Sequence, residues 1–194
     1  MTFIHRLLTL CLYGLGVVFM AGLVHLISVL AMPQLAPRDG FTRLAAFAKA
    51  RQPVLLPQPL PGHEVTPFED PTLAQAVCLF DLSHGPLRVG ASLDQDALLT
   101  LSFRSRTGRV FYAMTDKAAV HGKIDIRVMT AAQLAAAQAQ DDEDNPPQEL
   151  RLVAPQPQGF VLIDALAPRP SERAAAEARA LSVICAPETV AQNP

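Results

Sequence analysis

The stretch between Arg6 and Arg38 contains no aspartate, glutamate, lysine or arginine. Within it, Leu7 to Met32 forms a predominantly apolar run of 26 residues. At about 1.5 Å per residue, a helix of that length exceeds the roughly 30 Å hydrocarbon core of a bilayer. We therefore expect a transmembrane helix over residues 7–32. The alternative is a signal peptide cleaved after Val29-Leu30-Ala31, but signal peptides have apolar regions of only about 7 to 15 residues.

Length and charge limit what else the chain can be. It has 194 residues, of which 18% are charged, and a formal net charge of −2. This length predicts one domain with an accessory segment. Because proteins hold the phosphate backbone through clustered lysine and arginine, the charge gives no reason to expect a nucleic-acid partner.

The charges that flank the span bear on its orientation. Residues 1–6 form a short N-terminus that we predict to be cytoplasmic. Four basic residues follow the span closely, and by the positive-inside rule they would hold the rest of the chain in the cytoplasm, although long domains translocate largely regardless of charge. These residues are Arg38, Arg43, Lys49 and Arg51.

The cysteines favour export. Cys11 lies in the span, which leaves Cys78 and Cys185 as a pair outside it. An even number of cysteines in an exported domain indicates a disulfide, and this one would contribute on the order of 4 to 5 kcal/mol. The alternative is two reduced, buried thiols in a cytoplasmic domain. We predict a single-pass protein of the bacterial inner membrane with a periplasmic C-terminal domain.

Residues 33–71 are predicted to form a juxtamembrane amphipathic helix and a proline-rich linker. Between Arg38 and Arg51, one helix face carries Phe41, Leu44, Ala45 and Ala48. That face packs either on the following domain or on anionic headgroups, to which the basic residues would hold it. The six prolines between Gln52 and Pro71 favour an extended chain.

Residues 72–194 are predicted to form a β-rich, mostly antiparallel, sandwich-like domain with peripheral helices, which makes the fold class α+β. Short apolar runs separated by turn signals predict strands at 77–82, 87–91, 98–103, 110–115, 123–130, 149–154 and 160–166. Residues 105–108 predict a hairpin turn with Gly108 at positive φ. Thr130 and Ser171 are expected to cap helices. The second helix is expected to align Ala174, Ala178, Leu181 and Cys185 on a stripe that faces the core.

Two strand-and-turn segments resemble the family called domain of unknown function 1254. They are residues 80–89, FDLSHGPLRV, and residues 100–116, which contain Phe103, Gly108 and Tyr112. The order of an apolar span, a basic amphipathic helix, a β-rich body and a cysteine near the C-terminus is similar to that of short bacterial envelope members. The resemblance implies a fold and an envelope location, with no established activity.

One stripe of the predicted transmembrane helix carries small and polar side chains. Its residues follow the spacing of a coiled-coil seam, and they are Gly14, Val18, Ala21, His25 and Ser28. Small residues let helices approach closely, and His25 or Ser28 can hydrogen-bond a second helix. We therefore predict that the partners are the lipid bilayer and another membrane protein. The alternative is a plain anchor in which His25 reaches toward the interface.

The sequence contains no fingerprint of a nucleotide, metal or cofactor site, and we expect no cofactor. Asp81, Ser83 and His84 are expected to form a polar turn, since the members of a catalytic triad come from separate elements. His63 and His121 are expected in exposed loops. The acidic run 141–144 lacks the ligand spacing and the glycine of a calcium loop.

Arg104, Arg106 and Arg109 surround the predicted hairpin turn and are candidates for contact with an anion. The simpler interpretation is that the three arginines are solvated charges at a hairpin tip.

Together these observations predict a membrane-anchored, non-enzymatic accessory or assembly partner of another membrane protein. The first alternative is a periplasmic binding module that holds a small anionic or lipid-like ligand at the hairpin arginines. The second is a hydrolase or isomerase, which requires His84 or His121 to meet carboxylates in a pocket.

Overall fold

The computed structural model describes residues 2–35, 39–48, 52–60, 62, 65, 70–93, 98–141 and 147–188. The chain divides into two compact units, Met1–Pro37 and Arg38–Pro194. The first unit contains one helix. Among its described residues, the second contains two β-sheets and three short α-helices. The α+β class and the long apolar N-terminal helix predicted from the sequence are confirmed.

Helix α1, Thr2–Leu35, leaves every side chain from Phe3 to Leu30 exposed. Over Phe3–Met32 it is long and apolar enough to cross a membrane, with a mean hydropathy of 2.3. The hydroxyls of Thr9 and Ser28 donate hydrogen bonds of 2.8 Å to the carbonyls of His5 and Val24. These two polar groups are therefore satisfied without water, as an apolar surrounding requires.

Nine strands form the two sheets. They are β1 (Val54–Leu55), β2 (Leu73–Asp81), β3 (Leu87–Ser92), β4 (Leu99–Ser105), β5 (Val110–Thr115), β6 (Lys123–Met129), β7 (Leu150–Val153), β8 (Gln158–Leu166) and β9 (Ile184–Pro187). The five-stranded sheet has the order β1-β2-β8-β4-β5, and the four-stranded sheet has the order β7-β6-β3-β9. Among these strands only β6 and β7 pair in parallel.

The main core lies between the inner faces of the two sheets. In β3, Leu87, Val89 and Ala91 are buried, whereas Arg88 and Ser92 are exposed. Strands that alternate in this way place one apolar face against the opposite sheet. At the centre, Phe103 of β4 is fully buried, and its ring centroid lies 6.1 Å from that of Tyr112 on β5. The alternation visible in the sequence therefore produces the sandwich.

Helix α2, Gly40–Leu44, covers the outer face of the five-stranded sheet. Its Leu44 and the following Ala48 are buried in a second cluster with Phe160 of β8. The apolar face thus packs on the domain, as the first alternative proposed. The helix is shorter than the predicted one, and Ala45 is exposed because the helix ends at Leu44. The second unit begins at Arg38, so the predicted boundary at residue 72 lies inside it.

Two further helices border the sandwich. Helix α3, Ala131–Gln138, is capped by Thr130, as predicted, and Gln133 completes a capping box with it. Helix α4, Arg173–Leu181, follows a 3-10 turn at Pro170–Glu172, so the predicted cap at Ser171 is wrong. The predicted core stripe is also wrong in register, because the buried side chains are those of Ala176 and Ala180. Cys185 lies beyond the helix, on β9.

Candidate functional site

The two cysteines of the second unit meet in the core. Cys78 lies on β2 of one sheet and Cys185 on β9 of the other, and both are buried, at 0% and 4% exposure. Both are free thiols, so the predicted disulfide is absent from this structure. The hydrogen bond to Cys78 and the burial of the site raise the pKa of Cys185 well above that of an exposed thiol. The sequence thus predicts the neighbourhood of the two sulfurs, and the structure contains no bond between them.

The predicted stripe of α1 is exposed along its length: it consists of Gly14, Val18, Ala21, His25 and Ser28. A shallow concave strip runs along one side of the helix, and it contains Ala21, His25 and Ser28, with Gly16 in place of Gly14. Because the Ser28 hydroxyl already donates to Val24, the His25 ring is the donor that the predicted stripe leaves available to a second helix, and the exposed Tyr13 also lies on this strip.

Arg106, at the tip of the β4–β5 hairpin, is engaged within the domain. Its Nε forms an ion pair with Asp39, the residue that caps α2, and its Nη1 donates to Gln158 Oε1 at 2.6 Å. The guanidinium also lies 5.7 Å from the centroid of the Phe41 ring. Burial raises the pKa of Asp39, but hydrogen bonds from Thr42 and the Arg106 guanidinium outweigh it and hold this pKa below its ordinary value.

The other two predicted anion contacts have different surroundings. Arg104 donates from Nε to Ser102 Oγ at 3.2 Å. Arg109 is exposed, and its guanidinium has neither a hydrogen bond nor an ion pair to the described residues. Of the three hairpin arginines, Arg109 is therefore the one whose whole guanidinium lacks a partner among the described residues.

The Asp81-Ser83-His84 segment is a structural turn, as predicted. Asp81 Oδ1 accepts a hydrogen bond of 3.0 Å from the Ser83 N–H and caps the 3-10 turn Leu82–His84. Its Oδ2 accepts from Gln158 Nε2 at 2.8 Å. Hydrogen bonds from Gln158 and Ser83 lower the pKa of Asp81, so this carboxylate is stabilised as an anion rather than poised as a base.

A row of arginines that was not predicted from the sequence lies on the outer face of the four-stranded sheet. Arg88 of β3 is paired in register with Arg127 of β6, and Arg127 with Arg151 of β7. Each side chain points away from the core, since a buried residue stands next to it in its strand: Val89 beside Arg88, Ile126 beside Arg127 and Leu152 beside Arg151. The alternation of charged and apolar residues in these strands signals an outward face, but the strand order that aligns the three arginines has no such local signal.

Four carboxylates neutralise this row. Arg88 binds Asp125 through two hydrogen bonds of 2.9 and 2.6 Å, and Arg151 binds Asp141 through two of 2.6 and 2.7 Å. Glu149 accepts from Arg127 at 2.7 Å and from Arg151 at 2.9 Å. Arg127 Nη2 donates to Glu188 Oε1 at 3.1 Å, and its Nε lies 2.8 Å from Glu188 Oε2 without hydrogen-bond geometry.

The contacts of the two aspartates shift their titration. Hydrogen bonds from Arg88 and from Arg151 lower the pKa of Asp125 and of Asp141, respectively. Asp141 belongs to the predicted acidic loop, and its pairing with Arg151 gives it a structural role. Residues 142–144 lie outside the described residues.

A groove of about 1140 Å³ lies beside this row, between the edge of β5 and strands β6 and β7. His121 lines it, at the tip of a two-residue turn in which His121 and Gly122 both have positive φ. The carboxylates in the groove, Asp125 and Glu149, are held by arginines. Within the described part of the chain no cluster of histidine, cysteine and carboxylate residues has the composition of a metal site. His63 lies outside the described residues.

Comparison with known proteins gives a fold and no activity. No protein-family model matches the chain, and no curated protein matches it. The structure is similar to that of the VPA0106 protein from Vibrio parahaemolyticus, with a TM-score of 0.51 and 9% identity over 75% of this chain and 32% of that one. An uncharacterized protein from Burkholderia cenocepacia has a TM-score of 0.45 and 12% identity over 78% of this chain and 40% of that one. The chain thus spans about a third of the length of the Vibrio protein, and the likeness at this identity is one of fold.

Proposed function

We propose that this chain is a single-pass membrane protein in which α1 anchors the sandwich domain at the surface of the bacterial inner membrane. The observation that carries the proposal is the exposure of every side chain of α1 from Phe3 to Leu30. A helix of mean hydropathy 2.3 that exposes these side chains is stable in a bilayer and costly in water. Membership of the domain of unknown function 1254 family is part of the proposal and rests on residues 80–89 and 100–116.

We further propose that the sandwich domain is periplasmic. Cys78 and Cys185 support this location, because a buried pair of thiols that joins two sheets is suited to oxidation during export. In that reaction the two thiols lose two protons and two electrons, and a disulfide donor of the envelope is reduced to two thiols. The product would be a sulfur–sulfur bond that ties β2 to β9.

A gel comparison tests the disulfide. Cells are quenched with a thiol-blocking reagent, and the protein is run with and without reductant beside a Cys78→Ser control. We expect faster migration of the unreduced protein, because the closed loop of about 108 residues keeps the unfolded chain compact. The Cys78→Ser variant should migrate identically in both lanes. Full blocking of both thiols in the native protein would contradict the periplasmic location.

The role we propose is that of a non-enzymatic accessory or assembly partner of another membrane protein, which α1 recognises. Support comes from the stripe of small residues, where Gly14 and Ala21 leave room for a second helix backbone, and from His25. A histidine in a span is costly to expose to lipid, so a partner helix is its expected neighbour.

Exchange of the span tests recognition. In one variant residues 7–32 become leucine, and in a matched variant they become leucine except at the five stripe positions: Gly14, Val18, Ala21, His25 and Ser28. Both variants should remain in membranes. The first should lose the proteins that co-purify with the native chain, and the second should retain them. Unchanged co-purification with the all-leucine span would leave α1 as an anchor without recognition.

A further inference from the structure

We propose that one end of the sandwich rests on the anionic headgroups of the bilayer, through the exposed side of α2 and the tip of the β4–β5 hairpin. This inference rests on the proposed membrane anchoring and adds to it a defined surface of the domain. The occupant of that surface is a phospholipid bilayer with a negative surface charge.

Only three residues separate the end of α1 from the beginning of the α2 segment. Residues 36–38 join Leu35, the last residue of α1, to Asp39. An extended chain reaches at most about 3.6 Å per residue, so the four peptide steps from Leu35 to Asp39 reach about 14 Å. If α1 crosses a bilayer, Asp39 is therefore held close to the headgroups, whatever path the chain takes.

Asp39 is fixed to one end of the sandwich. Asp39 forms an ion pair with Arg106. Two residues further on, the Phe41 N–H donates a hydrogen bond of 3.0 Å to the Arg106 carbonyl. Gly40 lies beside both elements, since a Cβ there would be in ordinary contact with them, 3.5 Å from the Phe160 ring and 3.7 Å from the Gly108 backbone. The beginning of α2 and the hairpin tip therefore belong to one surface.

This surface exposes basic and aromatic side chains. The buried side of the α2 segment, with Leu44 and Ala48, is occupied by the sandwich, so the opposite side is free to contact a membrane. That side carries Arg43 and Phe47, which is 48% exposed, and the hairpin contributes Arg109. The guanidinium group of neither arginine has a hydrogen bond or an ion pair to a described residue.

Arginine and phenylalanine in this arrangement suit a lipid surface. A guanidinium presents paired donors to a phosphate, and an aromatic ring next to it enters the boundary between headgroups and acyl chains. Three further basic residues flank the segment in the sequence: Arg38, Lys49 and Arg51. They lie outside the described residues, and their charge has the same sign as that of Arg43 and Arg109.

The absence of tryptophan from the sequence permits a direct test. The full chain is reconstituted into vesicles of brominated phosphatidylcholine with phosphatidylglycerol, and a single tryptophan is introduced by Phe47→Trp or, as a second reporter, Ala46→Trp. Bromine quenches tryptophan on contact. Val120→Trp is the matched control: Val120 is 69% exposed and lies beyond the far end of β5, whose six residues span about 20 Å.

We expect quenching of the tryptophans at 46 and 47 and none at 120. Replacing Arg43 and Arg109 by alanine should shift the ratio of surface-bound to free domain by about fivefold per residue, and so reduce quenching. Omission of phosphatidylglycerol should have the same effect. Flotation of the vesicles reports anchoring separately.

Each outcome decides between the two proposals. Chains that float with the vesicles but show no quenching at positions 46 and 47 would overturn the docking surface and leave anchoring intact. Quenching that is insensitive to both arginines and to phosphatidylglycerol would overturn the role of the headgroup charge. Failure of the native chain to float would overturn both proposals.

Discussion

Two phenylalanines illustrate the difference between the helix and the sandwich: Phe19 on α1 exposes 70% of its surface, whereas Phe103 on β4 exposes none. Throughout α1 the apolar side chains point outward, and in the sandwich they fill the space between two sheets. The sandwich thus supplies its own apolar surroundings, while α1 requires them from outside. The two parts should therefore respond independently to substitution.

Charges placed in the middle of α1 should have the largest effect. The double variant Phe19→Arg with Gly22→Arg puts two cations in the span, at a cost of about 2.5 to 3.5 kcal/mol each. We expect the chain to leave the membrane fraction after an alkaline carbonate wash, because two such costs outweigh a large part of the insertion energy. The control is Phe19→Leu with Gly22→Leu, which should stay in the pellet. Retention of the arginine variant would contradict a lipid-facing α1.

A methyl group on Gly159 should disrupt the sandwich and leave anchoring unchanged. A Cβ there would lie 2.3 Å from the carbonyl oxygen of Arg104 and 2.5 Å from the Phe80 ring, so backbone must move. We expect Gly159→Ala to reduce the free energy of unfolding by about 2 to 4 kcal/mol, measured by urea titration of the full chain in detergent. Gly90→Ala, whose nearest neighbour would be 3.7 Å away, is the control and should be nearly neutral. Equal effects of the two substitutions would contradict the close packing of β8 on β4.

Acid should weaken the sandwich through its arginine row. The pKa values of Asp125 and Asp141 are lowered by Arg88 and Arg151, so these carboxylates bind protons more readily in the unfolded chain. Their contribution is present above the unfolded pKa of about 4 and is lost as the pH falls through the lower folded values. We expect a shallower acid dependence of the melting temperature in the variant Asp125→Asn with Asp141→Asn. An unchanged slope would show that the row contributes nothing to stability.

Asp164 should have the smallest effect, with the opposite sign. Burial raises the pKa of this carboxyl group, although Gln75 donates a hydrogen bond of 2.7 Å to its Oδ1. The folded protein therefore loses stability as the pH rises from the unfolded pKa toward the raised folded value. Asp164→Asn keeps an acceptor for Gln75, and we expect it to stabilise the protein by about 1 kcal/mol or less at pH 7 and not at pH 3. If the variant and the native protein differed in unfolding free energy by the same amount at pH 7 and pH 3, the result would contradict this prediction.

The sequence predicted the features that depend on local patterns. The charge-free run predicted α1, alternation predicted the strands, and the hairpin turn was predicted by Gly108, which has a φ of 91°. Features that depend on how strands associate could not be predicted in this way. Arg88, Arg127 and Arg151 form a row only because β3, β6 and β7 are neighbours in one sheet.

The two cysteines and the hairpin arginines lie between these cases. The count of cysteines predicted that Cys78 and Cys185 are close, although Cys185 reaches the core on β9 rather than on a helix. Charge spacing predicted that Arg106 and Arg109 share a turn, but pairing of Arg106 with Asp39 depends on the way α2 folds back onto the sheet. Long-range partners of a charged side chain have no counterpart in a local sequence pattern.

The most direct test of the account is the protease accessibility of epitopes added to the two ends of the chain in spheroplasts. If α1 crosses the inner membrane and the sandwich lies in the periplasm, the C-terminal epitope is digested by added protease, whereas the N-terminal epitope survives in carbonate-washed membranes. A C-terminal epitope that resists protease until the membranes are broken, or recovery of both epitopes in the carbonate supernatant, would contradict it.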